Sequence, residues 1–282
     1  MLLGPVTGHL EKATAFLNGS MQPSQRQRLE SIVADTAVFV GVLSRQSSKL
    51  AQARAYLGLA EELARQARNL PLLAQVYAQQ ALLDYYSQAP DGKHGDPRNR
   101  VALLEQADKL AARSAPAIVQ MATSAWLAED RAAANDGYGA DHALERASQA
   151  IVQTQAEGQV GTDFCSTAGK YCGWGEGDLR GFKGAVELAL NRPQAIRTLG
   201  TSVQLKTNPR GQATALTYLA IALMGQKQPD EASACLIKAH TIGLSYSSAT
   251  ILHHVLSARA MMPPEWNSLR NVRELDERLR VG

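Results

Sequence analysis

Histidine and cysteine are the residues of this chain best suited to binding metals, and their spacing argues against that role. His253 and His254 are adjacent, and adjacent side chains on a helix point about 100° apart, so they do not converge on one metal ion. Cys165 and Cys172 lie too far apart for the usual paired zinc ligands, and Cys235 stands alone. We interpret all five as structural residues and expect no metal site.

The glycine-rich segment 173–177 superficially resembles a phosphate-binding loop. It lacks the Lys and Ser/Thr of a Walker motif and follows no predicted strand, so we interpret it as a turn between helices in which Trp174 either caps the core or lines a groove. No Ser-His-Asp or Cys-His set can be placed by spacing, and no Gly-x-Ser-x-Gly motif occurs. The sequence therefore indicates no catalytic residue and no cofactor, and we expect a protein that is not an enzyme.

The charge pattern does not indicate a nucleic-acid-binding protein. The 282 residues carry 29 Lys and Arg against 26 Asp and Glu, a net charge of +3. Arginines cluster near residues 26–28 and 270–280, and both clusters have acidic neighbours, as is typical of a solvated helix face. We therefore expect no direct binding to nucleic acid.

The sequence also shows no signal for export or for a membrane. No charged segment followed by an apolar one opens the chain, and no apolar run approaches the roughly 20 residues of a spanning helix. Three cysteines are too few, and odd in number, for a disulfide framework. These features predict a cytoplasmic protein with no membrane partner.

Helical periodicity runs through almost the whole chain and predicts an all-α protein. Between residues 28 and 43, apolar residues such as Leu29, Ile32, Val33 and Val40 fall on one stripe. Short polar breaks between such stripes predict antiparallel hairpins. The predicted helices cover residues 28–43, 50–67, 71–87, 98–114, 116–134, 141–154, 179–190, 193–203, 211–225, 230–242, 247–261 and 265–279.

Two segments interrupt this periodicity. Residues 89–97 are rich in Pro and Gly, which predicts a loop. Residues 157–178 contain eight Gly or Cys residues, which predicts a break with a short helix near 164–171. Because each helix pair in a repeat protein contacts only its neighbours, we predict a single domain over residues 1–282 with a break near 157–178.

The helix pairs share an internal spacing. Gly41 and Ala53 are twelve residues apart, and Ala53 and Ala60 are seven apart. Small residues at these positions allow paired helices to approach closely. The same two intervals recur near the C-terminus at Ala220, Ala232 and Ala239.

This spacing resembles the tetratricopeptide repeat, a helix–turn–helix unit of about 34 residues. The match is partial around Ala195, where the join between helices is shorter. The resemblance implies a superhelical stack of antiparallel helix hairpins, a TPR-like α-solenoid. If the register is right, leucine at Ala53 or Ala232 should destabilise the protein more than leucine at Ala140.

In such a stack, the first helix of each pair lines the concave side. Amide and arginine side chains there suit a peptide backbone or a carboxylate, although each position fits an ordinary surface residue equally well. The predicted groove residues are Val42, Arg45, Gln75, Gln79, Trp126, Thr217 and Ile221.

The C-terminal segment 271–280 carries the pattern Val-x-x-Leu-Asp-x-Arg-Leu after a series of alanine-rich helices and a glycine-containing break. With these features the chain resembles the C-terminal, TPR-like sensor half of bacterial helix-turn-helix (Xre-type) transcriptional regulators. No helix-turn-helix segment precedes residue 1, so we expect an isolated sensor half or a stand-alone relative without DNA binding.

These observations favour a ligand- or partner-binding regulatory module, with a peptide, a small molecule or a protein partner held in the concave groove. A homodimer is compatible with this interpretation. Two alternatives stay open. One is an enzyme that uses a helical scaffold and an unrecognised active site. The other is a pure protein-interaction scaffold with no regulated ligand.

Overall fold

The fold is taken from a computed structural model, which describes residues 3–86, 97–156 and 174–281. About 85% of these residues are helical and none of them lies in a strand, which confirms the all-α prediction. No helix within the described segments has both the length and the apolar character needed to cross a bilayer. The described helices are α1 (Leu3–Phe16), α2 (Pro23–Gln46), α3 (Leu50–Gln66), α4 (Leu70–Tyr86), α5 (Pro97–Ser114), α6 (Ala117–Ala133), α7 (Gly137–Ala156), α8 (Glu176–Ala189), α9 (Ala195–Leu205), α10 (Pro209–Gly225), α11 (Pro229–Ser245), α12 (Ala249–Ala260) and α13 (Arg270–Val281), with a 3-10 helix at Pro264–Ser268.

Contacts divide these helices into two compact units, unit 1 with α1–α7 and unit 2 with α8–α13. In unit 1, α2 pairs with α3, α4 with α5, and α6 with α7. In unit 2, α8 pairs with α9, and α10 with α11. The two helices of each of these hairpins are therefore neighbours in space, as the prediction of stacked hairpins requires.

Six joins between helices are built alike, and each reverses the chain within a few residues. The first N–H after each left-handed residue donates to a carbonyl five residues earlier, as from Lys49 to Ser44 (2.8 Å) and from Gln228 to Leu223 (3.0 Å). This is the Schellman pattern, in which a left-handed residue ends the helix and satisfies its last carbonyls. The left-handed residues are Ser48, Arg68, Asn135, Asn191, Lys227 and Ser247.

The predicted small-residue seam is present in the first hairpin. Ala53 and Ala60 are fully buried, and a Cβ added at Gly41 would lie 3.1 Å from the Leu57 side chain. Leu57 thus fills the space that Gly41 leaves open, which explains the twelve-residue interval between Gly41 and Ala53. The corresponding residues of the α10–α11 hairpin, Ala220, Ala232, Leu236 and Ala239, are also fully buried.

The expectation that Ala140 lies outside such a seam is wrong. Ala140 is fully buried, and Ala140, Leu144 and Ala147 repeat the spacing of Ala53, Leu57 and Ala60. The predicted helices at 116–134 and 141–154 left a loop at residues 135–140, which hid this equivalence. In fact α7 begins at Gly137, inside the predicted loop.

Other boundaries also differ from the prediction. α8 begins at Glu176, within the predicted turn, and the Asp178 carboxylate caps its N-terminus by accepting from the N–H of Gly175 at 3.1 Å. Ile32 was assigned to the buried stripe but is 59% exposed, whereas Val33 and Val40 on α2 are fully buried. Of the loop predicted at 89–97, only Pro97 lies in the described residues, and it begins α5. The short helix predicted near 164–171 lies outside the described residues.

A buried ion pair connects α5 and α6 in unit 1. Arg100 Nε lies 3.0 Å from both carboxylate oxygens of Asp130, and Arg100 Nη2 donates to Oδ1 at 2.6 Å. The guanidinium also stacks over Tyr85, with 5.1 Å from Cζ to the ring centroid. Arg100 is 3% exposed and Asp130 is 9% exposed, so the ion pair replaces part of the hydration that each charge loses on burial.

The segment that carries the regulator resemblance closes unit 2. Val272 and Leu275 are fully buried in the core formed by α10–α13. Asp276 accepts from Arg259 of α12 at 2.7 Å and 2.9 Å. The pattern of residues 271–280 is therefore explained by packing and by an ion pair at the end of the unit.

We expect a buried histidine in this core to make unit 2 less stable at acidic pH. Burial lowers the pKa of His240 from its usual 6.5, and the positive charge of Arg278 on α13 lowers it further by a smaller amount. As the pH falls through 6.5, the unfolded chain takes up a proton that the folded chain does not, so stability is lost. Urea unfolding at several pH values should show a smaller acid loss for His240→Gln than for the unaltered protein. Equal acid losses in the two proteins would contradict this assignment.

Candidate functional site

The predicted groove residues of unit 1 lie mostly inside the protein. On α4, Gln75 is fully buried and Gln79 is 6% exposed, and every residue from 72 to 79 is buried. Trp126 on α6 is 9% exposed. The structure brings Arg45 and Gln79 together, since Arg45 Nη2 lies 3.5 Å from Gln79 Oε1. Val42 and Arg45 on α2 are half-buried.

The predicted groove residues of unit 2, Thr217 and Ile221, both lie on α10. Thr217 is 4% exposed, and its hydroxyl donates to the carbonyl of Ala213 at 3.0 Å within the same helix. Ile221 packs against the apolar core. Both residues therefore have a structural role, and neither needs a ligand to satisfy its side chain.

Among the described residues, the side chains considered for metal binding do not form a centre. The rings of His253 and His254 are 6.4 Å apart between centroids and inclined at 53°. Burial raises the pKa of the Cys235 thiol, which keeps it neutral. Across the described segments, no group of three His, Cys, Asp or Glu residues could hold a metal ion. Cys165 and Cys172 lie outside those segments.

A polar cavity of about 290 Å³ lies between α8 and α9 in unit 2. Because α8 and α9 are paired, residues spaced by three or four positions on each helix converge on this one cavity. Its lining residues are Arg180, Lys183 and Glu187 on α8, with Gln194, Arg197, Thr198 and Thr201 on α9.

The cavity, hereafter the α8–α9 cavity, has an excess of positive charge. Arg180 pairs with Glu176 at 2.7 Å on the exposed face of α8. Lys183 and Arg197 are exposed and make no ion pair with the described residues. Guanidinium and ammonium groups that converge without acidic partners favour an anion.

One acidic residue of the cavity is buried and incompletely paired. Glu187 is 5% exposed, and its Oε2 atom has no hydrogen-bond partner among the described residues. A buried carboxylate oxygen without a donor is costly, because the hydration it loses is not replaced. The lining of the α8–α9 cavity therefore includes two exposed cations, Lys183 and Arg197, and one buried and incompletely paired carboxylate, Glu187.

Glycines on α8 allow close packing against α9, and this packing fixes how the two helices are aligned. A Cβ added at Gly184 would lie 2.6 Å from Leu199 Cγ, and one added at Gly177 would lie 2.9 Å from the backbone of Leu205. Ser202 Oγ donates to the carbonyl of Gly177 at 2.7 Å across the same contact. The glycine face of α8 thus packs on α9, while Lys183 and Glu187 line the cavity.

A buried ion pair fixes one end of this hairpin. Lys206 Nζ lies 2.7 Å from Asp178 Oδ1, and the other carboxylate oxygen accepts from the N–H of Gly175 at 3.1 Å. Asp178 therefore both caps α8 and attaches it to the end of α9. This leaves Lys206 committed to structure, whereas Lys183 remains available to a ligand.

Sequence reasoning did not find this cavity. We looked for ligand residues at fixed positions of the first helices, where the tetratricopeptide repeat carries them. A usable signal existed, because polar residues recur at 180, 183 and 187 and again at 194, 197, 198 and 201, on either side of one short join. Only the pairing of α8 with α9 shows that these two stripes face the same space.

The fold and this cavity define an all-α protein of stacked helix hairpins with a polar, basic pocket in its second unit. Among solved structures, the chain is similar to BtubC (BKLC) from P. vanneervenii, with a TM-score of 0.53 and 12% sequence identity over 87% of this chain and 91% of that one. At this identity the similarity supports the helical architecture alone. No protein-family model matches the sequence, and the search of curated proteins found no match.

Proposed function

We propose that this protein is a ligand-binding regulatory module whose α8–α9 cavity binds a small anionic molecule. The single observation that carries the proposal is the pair of cations, Lys183 and Arg197, which line one cavity without an acidic partner among the described residues. Two such charges repel each other, and an anion between them removes that repulsion while gaining charge-assisted hydrogen bonds.

The dimensions of the cavity favour a small ligand over a large one. A volume of about 290 Å³ is near the lower end of the roughly 300–1,000 Å³ that is usual for small-molecule sites. This is enough for a compact metabolite or for one or two residues of a peptide. The ligand predicted from sequence, a peptide or small molecule, therefore stays in the proposal, while its site moves to the α8–α9 hairpin.

The regulatory part of the proposal rests on the resemblance to the sensor halves of transcriptional regulators. In such a role, ligand binding between α8 and α9 would change how these two helices pack and so alter a surface offered to a protein partner. A pure interaction scaffold is the second candidate, and a specific observation favours it. Ile32 and Phe39 are spaced seven residues apart on α2 and are 59% and 38% exposed.

A thermal-shift experiment with inorganic phosphate and citrate tests anion binding at constant ionic strength. A ligand that binds only the folded state adds about 2.7 kcal/mol of stability at a hundred times its dissociation constant. We expect Lys183→Ala and Arg197→Ala each to weaken this stabilisation, and the double variant to abolish it. Lys238→Ala is the matched control, because Lys238 is an exposed cation on α11 outside the cavity.

Two results would count against the proposal. The first is that neither phosphate nor citrate stabilises the protein. The second is that these anions stabilise the Lys183 and Arg197 variants as strongly as they stabilise Lys238→Ala. If in addition an Ile32→Ser and Phe39→Ser variant fails to bind a protein partner that the unaltered chain retains, the scaffold function is favoured instead.

A further inference from the structure

We infer that the ligand of the α8–α9 cavity also carries an ammonium group, which binds the buried carboxylate of Glu187. This inference rests on the proposed function and names the class of ligand. The class is a small zwitterion with a primary amine at one end and a carboxylate or phosphate at the other. The carboxylate or phosphate binds the basic side chains of the cavity, and the amine binds Glu187.

The position of Glu187 is the first part of the argument. Glu187 is 5% exposed and lines the cavity, and its Oε2 atom lacks a donor from any described residue. A carboxylate buried to this extent normally has a cation or several N–H groups around it. A ligand ammonium supplies three donors and a positive charge, so it satisfies Glu187 better than a neutral hydroxyl does.

The order of the charges along α8 is the second part. Glu187 follows Lys183 by four residues and Arg180 by seven, which corresponds to about 6 Å and about 10 Å along the helix axis. Arg180 is already paired with Glu176, so Lys183 is the cation of α8 that is available to bind the anionic end of a ligand, while Glu187 binds the ammonium end. Because the basic side chains are long and can fold back, the charges of the ligand are expected to lie roughly 5–10 Å apart.

Glutamine at position 187 separates a ligand role from a structural one. The Glu187→Gln variant keeps the shape of the side chain and removes its charge, and burying an amide costs less than burying a carboxylate. We therefore expect the variant without ligand to melt at or above the temperature of the unaltered protein. The measured quantity is the preference for an amine on the ligand, which a merely structural glutamate would not control.

Calorimetric titration with matched probes tests the inference. The probes are 5-aminopentanoate and 4-aminobutylphosphonate, each compared with its analogue without the amine, pentanoate and butylphosphonate. We expect the aminated member of each pair to bind at least tenfold more tightly to the unaltered protein. Comparison of the two pairs shows whether the anion is a carboxylate or a phosphonate-like group.

The Glu187→Gln variant should bind both members of each pair within about twofold, without losing affinity for the analogue that lacks the amine. Glu231→Gln is the control, since Glu231 is an exposed carboxylate on α11 outside the cavity, and it should retain the tenfold preference.

The outcomes distinguish the two proposals. If the anions bind with Lys183 and Arg197 dependence but without a preference for the amine, the inference is wrong and the proposed function stands. The inference is also wrong if Glu187→Gln retains the tenfold preference. If no probe binds, the inference is wrong, and the proposed function is also wrong if phosphate and citrate fail to stabilise the protein.

Discussion

Asp130→Asn is expected to lower the free energy of unfolding by about 3–5 kcal/mol, the largest effect of a single substitution that the structure indicates. The variant removes the negative charge of the carboxylate that binds the Arg100 guanidinium through three short contacts, at a position where Arg100 is only 3% exposed. Arginine cannot lose its proton in the physiological range, so its charge must stay buried or the helices must separate. Urea denaturation followed by circular dichroism measures the loss.

The stability cost of substituting Arg100 should depend on pH, unlike that of Asp130→Asn. Arg100→Met leaves Asp130 buried, and burial already raises the pKa of Asp130 above its usual 3.8 despite the opposing effect of Arg100. Asp130 can therefore take up a proton in acid, so Arg100→Met should cost less at acidic pH than at neutral pH. Asp130→Asn should not recover in acid, because Arg100 remains charged.

A double variant and a surface control complete this test. Arg100→Met combined with Asp130→Leu removes both charges and should recover most of the stability that Asp130→Asn loses. Glu62→Gln, at an exposed carboxylate on α3 of the same unit, should change stability by no more than about 0.5 kcal/mol. A loss for Asp130→Asn as small as that of Glu62→Gln would refute the buried pair.

The second large effect is expected from an added methyl group in the contact between α8 and α9. At Gly184, the Cβ of an alanine would lie 2.6 Å from Leu199 Cγ and 3.2 Å from the Leu199 backbone nitrogen. The helices must move apart to accept it, which should lower the unfolding free energy by about 1–3 kcal/mol. Chemical denaturation of Gly184→Ala measures this loss, and the same displacement should weaken anion binding to the α8–α9 cavity.

Gly200 provides the matched control on the facing helix. A Cβ added there would meet nothing within 4 Å, so alanine only improves helix propensity. Gly200→Ala should therefore raise the unfolding free energy by about 0.5–1 kcal/mol. Opposite signs for the two variants are the expected result. If both stabilise the protein, the register of α8 against α9 is incorrect.

Local periodicity in the sequence determined that the protein is helical and where most of its helices lie. The stripe through Val33 and Val40 predicted α2, and the intervals around Ala53 and Ala232 predicted how two hairpins pack. These features are encoded within one helix pair, because a buried stripe and a small residue at a contact both leave a short-range pattern.

The seams that departed from this pattern were missed for an identifiable reason. In α5, Arg100 occupies the position that Ala53 has in α3, four residues before Leu104 and seven before Ala107. An arginine at a small-residue position departs from the spacing pattern of the repeat. It is accepted because Asp130, thirty residues away in α6, supplies the opposite charge.

The residues that end six of the helices were also not predicted from the sequence. The residues at the six left-handed positions are Ser, Arg, Asn and Lys, whereas the usual sequence signal for such a helix end is glycine. A glycine that makes a close helix–helix contact was assigned to the wrong element. Gly177 was assigned to a turn, although it lies in α8 and packs against the backbone at Leu205.

The sequence by itself thus determined the helices and the kind of hairpin they form, since both depend on residues close together in the chain. Tertiary structure decided which polar residues are buried, which pair, and which share a cavity. Gln75 on α4 and Glu187 on α8 are both buried polar residues of helices, yet only Glu187 lines the α8–α9 cavity. Burial and ligand access depend on the neighbouring helix, and the position of that helix is set by contacts that no local pattern contains.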